Sequence, residues 1–196
     1  LPEKEYSVIY ADPPWSYQQG GKTKSSHGIA KQHYQTMTTE DICNLPVRKI
    51  CGGGGAACFL WATFPNITEG IKVLEAWGFQ YKTAAFVWVK KNQKSGTNFW
   101  GLGAYTRANA EVCLLGVSPG FKAGERIRSH KVHQIIEAPF EGHSKKPDET
   151  RDKIVALMGD LPRVELFARQ TSPGWDVWGN EVEPTIPDFG TNCPEV

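Results

Sequence analysis

The stretch Val8-Ile-Tyr-Ala-Asp12-Pro-Pro-Trp15-Ser-Tyr17 decides how the chain is read. Residues 6–11 form a short apolar run that reads as a buried strand, and it halts at an acid and two prolines. In open α/β sheets ligands bind at the carboxyl ends of strands, and Asp12 stands at such an end. Two consecutive prolines fix φ, supply no N–H and leave the Pro13 carbonyl without an obvious ladder partner. One carboxylate and one carbonyl can then point into the same crevice as paired acceptors. A ligand with two N–H donors matches them, and an exocyclic amino group on a heteroaromatic ring is such a ligand. Its lone pair is delocalised into the ring, so accepting both hydrogens favours a pyramidal nitrogen with the lone pair freed. Trp15 offers a face on which the ring could stack. The plain alternative is a strand that merely ends in a Pro-Pro turn.

Outward from this stretch, buried-strand patterns return at 56–62, 81–89, 110–117 and 163–168, the middle two too apolar throughout to have a solvated face. Between them lie helix signals. Thr38 with Asp41 three residues on opens a short helix ending near Leu45-Pro46. Asn66 with Glu69 opens another, whose apolar positions Ile67, Ile71, Leu74 and Trp77 share one face and which Gly78 closes. Pro147-Asp-Glu149 opens a third, running to Gly159. Strand and helix alternate, which predicts a doubly wound α/β sheet. Residues 1–182 are expected to form a single domain and 183–196, with three prolines, a loosely attached tail. Residue 1 is leucine, so a few residues are expected upstream of it. The Gly52–Gly55 run lacks the lysine and Ser/Thr of a phosphate-binding loop and leads into a strand, so it reads as a turn.

Composition narrows the function classes. With 22 Lys and Arg against 21 Asp and Glu, net +1, the 196-residue chain carries no field that would hold nucleic acid non-specifically, so any basic surface is local. The five cysteines show no C-x-x-C pair and no Cys/His spacing for zinc, which points to reduced thiols, no metal and an intracellular setting. No apolar run approaches the roughly 20 residues of a membrane helix.

A-D-P-P-W at 11–15, H-Y-Q-T-M at 33–37, F-L-W at 59–61, V-W-V-K at 87–90, H-S-K-K-P-D-E at 143–149, E-L-F-A-R at 165–169 and G-N-E at 179–181 follow one another in order. Together they resemble the MT-A70 family of adenine N6-methyltransferases, in its compact prokaryotic or phage branch. The resemblance implies a Rossmann-like class I methyltransferase fold with permuted motif order, the catalytic D-P-P-W lying N-terminal and the cofactor motifs C-terminal. It implies S-adenosylmethionine as cofactor, S-adenosylhomocysteine as product and no metal. By position, Asp12 and Pro13 would accept from the target amine, with Asp12 also near the cofactor's amino-acid end. Pro14 would hold the turn and Trp15 would stack on the base. Lys146 would reach the cofactor carboxylate, and Phe167, Arg169, Asn180 and Glu181 would line its ribose and adenine. Tyr34 matches a loop aromatic near the target, and Tyr17 is expected to be a substrate-binding residue as well. Where some relatives have Gln after Gly-Asn this chain has Glu181, and Gln170, Thr171 and Ser172 also depart from the family pattern.

Local basic stretches complete the expectation. Lys22, Lys24 and Lys31 carry +3 with no acid, and Lys122, Arg126, Arg128 and Lys131 against Glu125 give 4 − 1 = +3. Both read as phosphate contacts flanking the strand ends. The implied partner is nucleic acid, DNA ahead of RNA, in the cytoplasm of a prokaryotic cell or a phage-infected host, with no membrane. A homodimer or partner subunit is left open, as is a non-catalytic scaffold role. Methylation of a protein amide ranks last, because such enzymes typically carry Asn at the Asp12 position.

Overall fold

The computed structural model describes residues 4–16, 36–103, 105–141 and 145–186. In chain order the elements are β1 (Val8–Ala11), α1 (Thr39–Cys43), β2 (Ala57–Ala62), α2 (Ile67–Ala76), β3 (Gln80–Lys91), β4 (Ala110–Val117), α3 (Ala123–Arg126), β5 (Ile135–Pro139), α4 (Glu149–Met158), β6 (Arg163–Leu166) and β7 (Asp176–Trp178). The strands make one seven-stranded sheet in the order β5-β3-β4-β2-β1-β6-β7. β1 is parallel to β2 and β6, β6 to β7 and β3 to β5, whereas β4 is antiparallel to its neighbours β2 and β3. The sheet is thus mostly parallel, with one reversed strand.

Both faces are covered, which explains the unbroken apolar strands. Ile9 and Ala11 of β1 join Cys58, Leu60 and Leu114 beneath Ile42 of α1 and Val73 and Leu74 of α2. Val8 and Tyr10 point the other way, to Phe59, Trp61, Phe86 and Trp88 beneath Ile154 and Met158 of α4. The period-two alternation of a strand therefore serves two cores at once.

Local chemistry sets most of the boundaries. Thr38 and Asp41 form the expected capping box on α1: the Thr38 hydroxyl accepts from the Asp41 N–H at 3.1 Å, and the Thr38 N–H donates to the Asp41 carboxylate at 3.3 Å. Gly78, at φ +84°, turns the chain out of α2. Asn66 differs from expectation. It stands at the N-cap of α2 without a side-chain cap bond, because its backbone (φ −101°, ψ 15°) continues a 3-10 turn instead of adopting the extended conformation a capping side chain needs.

Three further differences have physical causes. The first residues of β3, Gln80–Thr83, are exposed, because β5 pairs only from Val87 onward and leaves the start of β3 as an edge. β5 and β7 escape sequence detection, since five and three residues are too few for a clear periodicity. The loose tail does not begin at 183: the Thr185 N–H donates to the Val177 carbonyl at 2.9 Å, the Thr185 hydroxyl accepts from the Val177 N–H at 2.8 Å, and Ile186 is buried.

The reversal of β4 decides which loops can meet Asp12. β1, β2, β3, β5 and β6 all end at one edge of the sheet, and β4 begins there. Segments 92–109 and 140–148 therefore leave or enter at that edge, while 118–134 lies at the opposite one.

Candidate active site

β1 and β6 lie side by side with Ala11 paired to Leu166, so the next residues, Asp12 and Phe167, leave adjacent strand ends together. From β1 the chain passes to β2 on one side, and β6 returns on the other, which makes this edge the topological switch point where such sheets open a crevice. Phe167 stands there at φ +61°, in the left-handed region that a bulky residue enters only when its surroundings force it. Its ring meets Trp178 edge-on, with centroids 5.4 Å apart.

Lys146 reaches into the same edge. Its ammonium donates to Asp12 Oδ2 at 2.9 Å and lies 3.2 Å from Glu111 Oε2, while Lys90 pairs with the other Glu111 oxygen. The side chains of Lys146 and Glu111 are only 8% and 6% exposed, so the three-residue link from Asp12 inward is largely withdrawn from water. Lys146 also sits 5.8 Å from the centroid of the Trp61 ring. Burial pushes the Asp12 carboxyl above its ordinary value, Lys146 pulls it back, and Glu111 adds to the rise. Burial works against charge on Lys146 as well, but Asp12 and Glu111 outweigh it and hold the ammonium above its usual range. For Glu111 burial again raises, and Lys146 and Lys90 together bring it below its ordinary value. Of the two carboxylates on Lys146, Asp12 is therefore the readier proton acceptor.

The Pro-Pro turn is fixed by backbone hydrogen bonds. The Pro13 carbonyl accepts from the Trp15 N–H at 2.9 Å and the Pro14 carbonyl from the Met37 N–H at 2.9 Å, while the Ser16 N–H donates to the Met37 carbonyl at 3.2 Å. The Pro13 oxygen thus has a turn partner that the sequence did not reveal, and it retains its second lone pair. Trp15 differs further from expectation. Its indole N–H donates to the Trp61 carbonyl at 3.0 Å and the residue is 8% exposed within the apolar cluster, so in this arrangement it locks the turn and offers no open stacking face.

Beyond Phe167, Arg169 lies 3.7 Å from Glu181, and Asn180 between the two is exposed. A Cβ at Gly179 would collide with the backbone carbonyl of Ala168, which is why glycine stands before Asn180. Gly179→Ala is accordingly expected to lower stability by about 1–3 kcal/mol, checked by chemical denaturation. Glu165 is held by Arg151 in a two-pronged pair at 2.7 and 2.7 Å. Asp148 accepts from Lys145 at 2.9 Å, Arg151 at 2.7 Å and Gln170 at 2.9 Å, tying the start of α4 to the loop after β6.

Glu111, Lys90 and Arg151 escaped the sequence reading. A signal for Glu111 was present: an acid inside the apolar run A-E-V-C-L-L needs a buried cation. Among the described residues no group of three or more His, Cys, Asp or Glu side chains could hold a metal ion.

The basic cluster after β4 does not flank Asp12. Arg126 donates to the Gly54 carbonyl at 3.2 Å and approaches the Ser7 hydroxyl at 3.4 Å, and Arg128 packs on Gly159 behind α4, all at the amino ends of the parallel strands. Lys122 pairs with Glu125 in the same segment. The antiparallel run of β4 carries these residues to the far edge. Replacing Lys122 and Arg128 by alanine is therefore expected to leave the affinity for oligonucleotides, and its salt dependence, within about twofold of the parent, measured by fluorescence anisotropy. Tyr17, Lys22, Lys24, Lys31 and Tyr34 lie outside the described residues.

A mostly parallel α/β sheet with an Asp-Pro-Pro-Trp turn at its switch point defines a Rossmann-like methyltransferase. More narrowly, the chain belongs to the MT-A70 family, whose model matches residues 6–181. It is 33% identical to the Type II methyltransferase M.MunI of Mycoplasma sp, over 99% of this chain and 83% of that protein. It is 28% identical to the N(6)-adenosine-methyltransferase MT-A70-like of Arabidopsis thaliana, over 90% of this chain. The human N(6)-adenosine-methyltransferase catalytic subunit METTL3 is also 28% identical, over 91% of this chain. The chain spans 24% and 28% of the length of these last two. Among the described residues no helix is long and apolar enough to cross a membrane.

Proposed function

We propose that this chain transfers the methyl group of S-adenosylmethionine to the N6 amino group of adenine in DNA. The observation that carries the reading is the buried Asp12–Lys146–Glu111 link at the switch point, because it sets an ionised acceptor beside a fixed cation where a ligand must lie. The residues fit the cofactor. Lys146 and Asp12 match the carboxylate and ammonium of an amino-acid end, Phe167 supplies an apolar ring, and Arg169, Asn180 and Glu181 supply polar groups for ribose hydroxyls and adenine. When bound, the cofactor supplies a methyl carbon made electrophilic by a sulfonium.

The chain's own residues do the rest. Asp12 and the remaining lone pair of the Pro13 carbonyl accept the two amine hydrogens and orient the nitrogen lone pair for in-line attack. As positive charge grows on nitrogen, the Asp12 carboxylate opposes it at close range. Asp12 then takes the proton, a task its raised proton affinity suits. Lys146 holds Asp12 in place, and Glu111 with Lys90 holds Lys146. Pro14 and Trp15 keep the turn closed.

DNA is favoured over RNA because the Type II methyltransferase is matched over most of its own length and the adenosine enzymes over about a quarter of theirs. The same reaction on adenosine in RNA is the second reading, which the names of those enzymes favour. A single domain that takes in Thr185 and Ile186, the cytoplasm of a prokaryotic cell or phage-infected host, and a homodimer or partner subunit belong to the same proposal. The test is a competition among single-stranded DNA, duplex DNA and RNA of one sequence for labelled methyl. Preferential label in DNA is expected; label in RNA alone would exchange the substrate, and label in none would contradict the proposal.

A further inference from the structure

With Lys122, Arg126 and Arg128 on the far edge, the described residues at the catalytic edge offer a different surface for a nucleic-acid strand. Segment 92–109 leaves β3 and re-enters β4 there. Its roots belong to the site already described: Lys90 and Glu111 pair with each other, the Lys90 N–H donates to the Asn109 carbonyl at 2.8 Å, and Glu111 leads through Lys146 to Asp12. Phe99 packs on Phe140 with centroids 4.8 Å apart, which fastens the segment to the stretch leading to Lys146.

Beyond Phe99 the chain narrows to a ribbon. A Cβ at Gly101 would collide with the Ala108 carbonyl and one at Gly103 with the Thr106 carbonyl, so the two arms run close together and the glycines are required by contact. The ribbon carries large apolar side chains outward: Trp100 is 74% exposed, Leu102 92% and Tyr105 100%. The Arg107 guanidinium covers one side of Trp100, 5.3 Å from the ring centroid. From 90 to 110 the sequence has Lys90, Lys91, Lys94 and Arg107 and no acid. Glu111 and Glu137 pair with Lys90 and Lys91, which leaves Lys94 and Arg107 as the segment's cations beside the exposed rings.

Exposed aromatics beside cations, on a protrusion rooted in the catalytic link, have the chemistry of a single-strand contact: rings for base faces and cations for phosphates. We infer that the ribbon around Trp100 and Tyr105 binds the nucleic-acid strand beside the target adenine, with a neighbouring base stacked on the Arg107–Trp100 pair. This rests on the proposed nucleic-acid substrate and extends it to the flanking strand. The ribbon holds the strand where a flipped or unpaired adenine can enter the Asp12 crevice.

The test uses the full chain, fluorescent single-stranded DNA containing adenine, and the variants Trp100→Ala/Tyr105→Ala, Tyr105→Ala alone and Lys94→Ala/Arg107→Ala. The aromatic double variant is expected to weaken DNA binding about tenfold or more and to raise KM for DNA, while cofactor affinity and melting temperature stay at parental values. Tyr105→Ala, wholly at the surface, is expected to show part of the same loss. The charge variant is expected to flatten the log-log salt dependence by about one to two. Unchanged DNA affinity in the aromatic variants would overturn the inference, and a shift from dimer to monomer in that case would assign the ribbon to a protein contact. If the parent binds DNA through the ribbon but methylates no nucleic acid, the proposed reaction fails and the ribbon contact stands.

Discussion

Asp12→Asn is expected to reduce methyl transfer by about a hundredfold to a thousandfold or more, with little change in stability. Asparagine keeps the size of the side chain but removes the negative charge that opposes the developing ammonium, and it cannot take the proton. The stability half follows from the direction of the Asp12 shift. Burial raises its pKa in the fold above the ordinary value, opposed by Lys146 and reinforced by Glu111. A carboxyl whose folded pKa is raised contributes stability that is full below its unfolded pKa and is lost as pH rises through the folded one. At neutral pH the ionised Asp12 therefore weighs against the fold, while Lys146 loses one of its two carboxylate partners in the variant; the two effects oppose each other, so the melting temperature is expected to change little. The same direction sets the pH profile. Activity needs the ionised carboxylate, so the acid limb of kcat/KM for the parent is expected above the ordinary aspartate value of about 3.9. A limb at or below that value would detach the activity from Asp12.

Lys146→Ala carries the largest expected structural effect. Lys146 is 8% exposed and stands between two carboxylates; without it Asp12 loses its cation and Glu111 keeps only Lys90. Removing one partner from a buried ionic group costs about 3–5 kcal/mol, because charge is left in a poorly hydrated place. For a chain of this length that is a fall in melting temperature of roughly 6–20 °C. The loss should shrink as pH is lowered, since the stranded carboxylates then neutralise by taking protons, and a merely packing-based loss would not. Cofactor binding should fall in parallel, which isothermal calorimetry would read. Lys146→Arg keeps the charge but exchanges a compact ammonium for a planar fork, so it is expected to recover more stability than cofactor affinity.

How far these features were legible in the sequence depended on whether their cause was local. Residues 6–12 announced a buried strand ending in an acid because strand period and proline chemistry act over a few residues. Thr38 with Asp41, and Gly78 after its helix, were legible for the same reason. The reversal of β4 was not, since direction within a sheet is decided by pairing between distant segments. That single miss sent Lys122, Arg126 and Arg128 to the wrong edge and hid the 92–109 segment, whose roots lie at the right one. Asn66 had the composition of a cap, but the 3-10 turn before it set a backbone that no side-chain preference could announce. Trp15 was legible as an aromatic beside the acid; its bond to the Trp61 carbonyl joins residues 46 apart and converts a stacking surface into a lock. Lys146 was found only through resemblance, because its spacing from Asp12 along the chain carries no periodic signal.

The most direct measurement is mass spectrometry of nucleosides released from DNA after incubation with labelled S-adenosylmethionine and either the parent chain or Asp12→Asn, both first shown to bind the cofactor. Labelled N6-methyladenine is expected with the parent and at most a trace with the variant. Label on another atom or base, or equal label from both proteins, would contradict it.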